Sequence, residues 1–144
     1  MSTGAMWECP RCDRRFGQAN RPHVCAPAMA IDAYFVDAEP VDREIYDAVA
    51  EALVECGPVE IEAVSVGILF KRSRTFVELR PRKRGMACSM ILPHSLQSSR
   101  VKRRIRLGSR GVANFVTLGS ANDVDEEMCE WLAMAYDAAS ARVR

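Results

Sequence analysis

The chain has 144 residues, 49% of them hydrophobic and 27% charged, with a formal net charge of +1. That length holds one domain with a proper core and excludes two ordinary ones. The composition is that of a soluble globular protein, and the longest apolar stretch, Ala63 to Phe70, is far too short to cross a membrane.

The near-neutral total conceals an ordered partition. Residues 26–70 carry one base and ten acids, whereas residues 71–110 carry thirteen bases and one acid, Glu78. Either acidic helices lie beside basic strands and neutralise them, or the basic segment meets a negatively charged partner. The N-terminus lacks a basic region followed by an apolar one, so no signal peptide is expected. Six cysteines without a secretion signal favour metal over a disulfide framework, and a reducing cytoplasm as the location.

The first 27 residues read as a zinc-finger module. Cys9 and Cys12 form a C-x2-C turn that points two thiolates at one metal, and His23 and Cys25 supply two further ligands. A Cys3His set is a closed structural zinc site, with no position left for a reactive water. So short a segment cannot bury enough surface to fold alone, so the metal would supply most of its ordering energy. The H-x-C ending is tighter than that of C2H2 fingers, and Asp13 stands where knuckles usually have glycine. The competing reading is a redox pair, Cys9 and Cys12, with a spectator histidine.

Residues 28–144 read as an α+β domain. Met29 to Val36 has helix-compatible spacing. A stronger helix starts at Val41-Asp42, with Asp42 as its N-cap, and stops at Gly57-Pro58. Its apolar stripe is Ile45, Val49, Ala52, Leu53 and Cys56, which makes Cys56 a core thiol. Val59 to Ala63 alternates as a strand, and a turn or bulge is expected at Gly67.

Thr75 to Arg80 is a second strand. Strict alternation turns Val77 and Leu79 one way and Arg74, Phe76, Glu78 and Arg80 the other. Pro81 to Gly85, with Arg82, Lys83 and Arg84, is a basic turn, and Met86 to Leu92 is a largely buried strand ending at Pro93. After a loop over 94–99, alternation places Val101, Ile105 and Leu107 in an apolar row and Lys102, Arg104 and Arg106 in a basic one. Gly108 to Gly111 connects to a strand over 112–118. A last helix opens at Asn122-Asp-Val-Asp and buries Val124, Met128, Leu132, Ala135 and Tyr136, with Trp131 beside them. The sum is about five mostly antiparallel strands packed with two or three helices.

The run F-K-R-S-R-T-F-V-E-L-R-P-R-K-R-G, a later strand ending in L-P, and the closing D-V-D-E-E-M-x-x-W-L-x-x-A-Y resemble an uncharacterised bacterial family filed as a domain of unknown function. The resemblance rests on Arg74, Phe76, Arg80, Pro81, Asp125, Trp131, Leu132, Ala135 and Tyr136, and some members carry a similar C-P-x-C…H-x-C finger. It implies a small cytoplasmic α+β module and no established activity.

Three functional readings compete. The first is nucleic-acid binding, DNA or RNA, mainly through phosphate. A strand face with Arg74, Phe76 and Arg80 interleaves an aromatic with cations, as on single-strand-binding sheets. Arg72, Arg82, Lys83, Arg84 and Arg100 extend it, and Lys102, Arg104 and Arg106 add a second row. The second reading is a module that binds an acidic protein or a small anionic ligand, with an arginine cluster holding one phosphate. The third is an enzyme: Glu78-Leu79-Arg80 resembles the E-x-K strand of metal-dependent nucleases, with Glu60 or Glu62 as the upstream acid. His94 is the only histidine for Ser–His or Cys–His catalysis, and no phosphate-binding glycine loop occurs. No catalytic residue is assigned.

Overall fold

The computed structural model describes residues 28–72 and 74–141, together with Trp7, Glu8, Pro10, Arg15 and Phe16. Near the N-terminus, β1 (Trp7–Glu8) pairs antiparallel with β2 (Arg15–Phe16), Trp7 opposite Phe16 and Glu8 opposite Arg15. The expected zinc ligands Cys9, Cys12, His23 and Cys25 lie outside the described residues.

Two short elements, β3 (Ala28–Met29) and α1 (Ile31–Tyr34), lead into α2 (Pro40–Cys56). Pro40 opens α2 because its fixed φ suits the first turn, where its missing N–H is no loss. This corrects the expected start: Glu39 takes the N-cap position without a side-chain cap, and Asp42 lies inside the first turn, buried. The apolar stripe buries Ile45, Tyr46, Val49 and Leu53. Cys56, expected in the core, is exposed at the last residue of the helix, where its thiol donates to the Ala52 carbonyl oxygen at 3.5 Å. Gly57 ends the helix at φ +146°.

The rest of the chain is a meander of β4 (Glu60–Val64), β5 (Gly67–Lys71), β6 (Thr75–Pro81) and β7 (Met86–Leu92), followed by β8 (Val101–Arg106) and β9 (Val112–Leu118). The sheet runs in the order β3-β4-β5-β6-β7-β9-β8, and every pair is antiparallel. Strand β9 inserts between β7 and β8, so β8 lies at the sheet edge. Helix α3 (Glu126–Ala141) packs with α2 on one face of the sheet. The core between them holds Ile45, Leu53, Ile68, Phe70, Leu79, Met90, Leu118, Met128 and Leu132. Trp131 is buried as well, as a full member of the α3 stripe. Among the described residues, no helix is long and apolar enough to cross a membrane.

Two bulges set which residues face the helices. In β6, Val77 pairs with Phe70 while Thr75 pairs with Lys71, so Phe76 is an extra residue. In β8, Val101 pairs with Val116 and Arg103 with Phe115, so Lys102 is extra. Each bulge reverses the alternation of the strand on one side of it.

Candidate nucleic-acid interface

Directly paired residues share a face of a sheet. One such row crosses the face away from the helices: Glu62, Leu69, Glu78, Ser89, Phe115 and Arg103, from β4 to β8. At the β4 end, the Lys71 ammonium donates to Glu62 at 3.2 Å, and both side chains are nearly buried. At the other end, the Arg103 guanidinium lies 5.6 Å from the centroid of the half-buried Phe115 ring.

Two hollows open on this face. The larger, about 560 Å³, is walled by Arg80, Arg82, Arg103, Glu78 and Phe115. The smaller, about 230 Å³, shares Glu78 and Phe115 and adds Ser89, Ile91, Ile105, Leu107 and Arg110. Arg80 donates through Nε to Glu78 at 2.8 Å, and its side chain is 57% exposed. That ion pair is solvated and worth little by itself, so Arg80 keeps most of its capacity to meet an anion. The turn after β6 exposes Arg82, Lys83 and Arg84 and is closed by the Arg82 amide on the Gly85 carbonyl, at 3.0 Å. Gly85, at φ +74°, supplies the left-handed conformation that this tight turn needs.

The remaining cations of the basic segment do not join this face. Arg72 lies over the Tyr136 ring and donates to that residue's carbonyl oxygen. Arg74 is half-buried beside Thr75 and Ala139. Arg100 donates to Asp125 at 3.0 Å, to Glu127 at 3.1 Å and to the Asp123 carbonyl at 2.7 Å, with the Trp131 ring 5.6 Å away. Burial disfavours the Arg100 charge, but its bonds to Asp125 and Glu127 outweigh that and raise its pKa. Asp125 is held below the ordinary carboxylate range, first by the Met128 amide that it caps at 3.0 Å and then by Arg100.

The expected row of Lys102, Arg104 and Arg106 also breaks. Lys102 occupies the bulge, while Arg104 and Arg106 pair with Asn114 and Val112 on the side that carries the helices. Arg104 is spent on the loop before β8, donating to the Leu96 carbonyl at 2.6 Å and 3.1 Å. The expected apolar row breaks with it: Val101 faces the core, and Ile105 lines the smaller hollow.

Phe76 is corrected in the same way. It is 2% exposed and meets the Tyr136 ring edge-on, with centroids 5.8 Å apart. It borders the smaller hollow but presents no ring face for a base.

Sequence reading missed Arg103, Arg110, Phe115 and Asn114. Phe115 was legible in principle, because alternation in β9 sets Ala113, Phe115 and Thr117 against Val112, Val116 and Leu118. Asn114 interrupts the apolar parity of that strand for a structural reason. Fully buried, it accepts from the Leu96 amide at 2.9 Å and donates to the His94 and Val112 carbonyls at 3.2 Å, fixing the loop. Among the described residues, no group of three or more His, Cys, Asp or Glu is placed to hold a metal.

No curated protein and no solved structure matches the chain. The family model Domain of unknown function (DUF5655) matches residues 31–139, from α1 into the last turns of α3. The chain therefore belongs to the DUF5655 family of domains of unknown function.

Proposed function

We propose that the chain binds single-stranded nucleic acid, mainly through phosphate, on the sheet face away from the helices. The observation that supports this reading is the convergence of Arg80, Arg82 and Arg103 with the Phe115 ring around one hollow. Cations beside a partly accessible aromatic suit a strand whose phosphates and bases are both accessible. The arginines would meet phosphate, which carries no base identity.

The N-terminal segment adds a structural zinc finger to the proposal. Its support is the β1–β2 pairing, whose strands bracket Cys9 and Cys12 in sequence. Cys9, Cys12, His23 and Cys25 would hold the ion. Zinc bound there would order the segment, and four protein ligands leave it no open position for chemistry.

The test is titration of the full chain with mixed-sequence RNA and DNA oligonucleotides at several salt concentrations. Each phosphate contact releases a counterion, so log K falls with log salt by roughly 0.7 per contact on single strands. No binding at low salt would end the reading and leave an acidic protein or a small anion as the partner of this face.

A further inference from the structure

We infer that the two hollows of the open face together hold one unpaired nucleotide, its phosphate in the larger and its base in the smaller. This inference rests on the nucleic-acid reading above and names the unit that the face recognises. The hollows adjoin, because Glu78 and Phe115 wall both. Their chemistry differs. The larger is bordered by three guanidinium groups, Arg80, Arg82 and Arg103, which suit a phosphate. The smaller is walled by Ile91, Ile105 and Leu107, with Thr75, Glu78, Ser89 and Arg110 as its polar side chains. Apolar walls with a few fixed polar groups are what a flat heterocycle requires. Glu78 and Ser89 face each other across β6 and β7, so an acceptor and a hydroxyl meet the same edge of that heterocycle.

Phe115 stands at the junction, and the Arg103 guanidinium above its ring links the phosphate-binding and base-binding parts. A base in a duplex is paired and stacked, and cannot enter the smaller hollow. A duplex would engage the arginines alone. The face should therefore prefer single strands, and the preference should depend on Phe115 rather than on charge.

The test uses the full chain carrying Phe115→Trp, compared with the parent, whose own tryptophans are Trp7 and Trp131. Adenosine and guanosine 5′-monophosphate are expected to quench the added indole, whereas ribose 5-phosphate and inorganic phosphate are not. In the parent chain, a single-stranded oligonucleotide should bind about tenfold more tightly than its duplex, and Phe115→Ala should remove that preference. Ser89→Leu, which fills the smaller hollow and keeps the ring, should remove it too, so the result does not hang on one variant's folding. Equal binding of single strand and duplex, unchanged in both variants, would overturn the inference while leaving phosphate binding in place. Failure of both oligonucleotides to bind at low salt would overturn the nucleic-acid reading and the inference with it.

Discussion

The Arg72 guanidinium lies 3.8 Å from the centroid of the Tyr136 ring and donates to the Tyr136 carbonyl oxygen at 2.9 Å. The same tyrosine donates its hydroxyl to the Pro58 carbonyl at 2.8 Å. One residue of α3 thus ties the β5–β6 connection to the end of α2. Gly57 is part of the arrangement: its φ is +146°, and a Cβ there would overlap the Tyr136 hydroxyl. Gly57→Ala should cost about 1–3 kcal/mol through the backbone alone, with the overlap added. Tyr136→Phe should cost about 1 kcal/mol through the lost hydrogen bond. Combined, the two changes should cost less than their separate costs added, because the phenylalanine relieves the overlap. Simple additivity in chemical denaturation would show that the two positions are independent.

Phe76→Ala should cost about 3–5 kcal/mol of stability, the range for a deleted aromatic core side chain. Its ring packs on Tyr136 in the core. In the fraction that stays folded, the salt dependence of binding should be unchanged. A variant that melts like the parent and binds more weakly would return Phe76 to the binding face.

What was legible in the sequence followed local periodicity. The stripes Ile45–Val49–Leu53 and Met128–Leu132–Tyr136 declare both long helices because a 3.6-residue period needs no knowledge of partners. Family membership was legible too: the chain resembled a domain of unknown function, and the family model covers residues 31–139. The make-up of the candidate face was not. The bulges at Phe76 and Lys102 arise from pairing with β5 and β9, so nothing within β6 or β8 marks them. Strict alternation therefore exposed Phe76, grouped Lys102 with Arg104, and hid Arg103. Other pairings were equally non-local: Arg100 finds Asp125 just before α3 and Glu127 within it, and Lys71 finds its acid in β4, although Arg80 pairs with Glu78 two residues away. Mutual neutralisation of acidic and basic segments thus accounts for part of the basic run, and the turn after β6 for much of what stays exposed.

Asp42 should make stability fall as pH rises. It is 8% exposed, and its Oδ1 has no hydrogen-bond partner. Burial first, and then Glu39, raises its pKa above the ordinary carboxylate value. A carboxyl that holds its proton more tightly when folded stabilises the fold below its unfolded pKa, and that contribution is lost as pH climbs through the folded value. Its place in the first turn of α2 favours the charge by about 0.3–1 kcal/mol, less than the roughly 1–3 kcal/mol cost of an unsatisfied buried group. Asp42→Asn should therefore raise stability at neutral pH by on the order of 1 kcal/mol, the gain shrinking as pH falls below the carboxylate range. A lower melting temperature for the variant at pH 7 would mean that the helix terminus wins.

The purified chain should contain one zinc per molecule. Cys9→Ser should release the metal and leave the sheet and α2–α3 packing intact, since that core is built from residues 31–139. Metal analysis together with thermal melting checks both halves. Absence of zinc in the parent chain would remove the finger, as would a disulfide between Cys9 and Cys12.

Two triple variants should separate the faces of the sheet. Arg80, Arg82 and Arg103 border the larger hollow, whereas Lys102 lies in a bulge, Arg104 holds the Leu96 carbonyl and Arg106 pairs on the opposite side. Replacing the first set by serine should flatten the plot of log K against log salt by about two units if all three meet phosphate. Replacing Lys102, Arg104 and Arg106 should change the slope less and should also lower the melting temperature, because Arg104 secures the loop before β8. Arg100→Ala should lower the melting temperature with the slope unchanged, since its charge is committed to Asp125 and Glu127. Equal slopes for the two triple variants would mean that net charge, and not the hollow bordered by Phe115, governs binding.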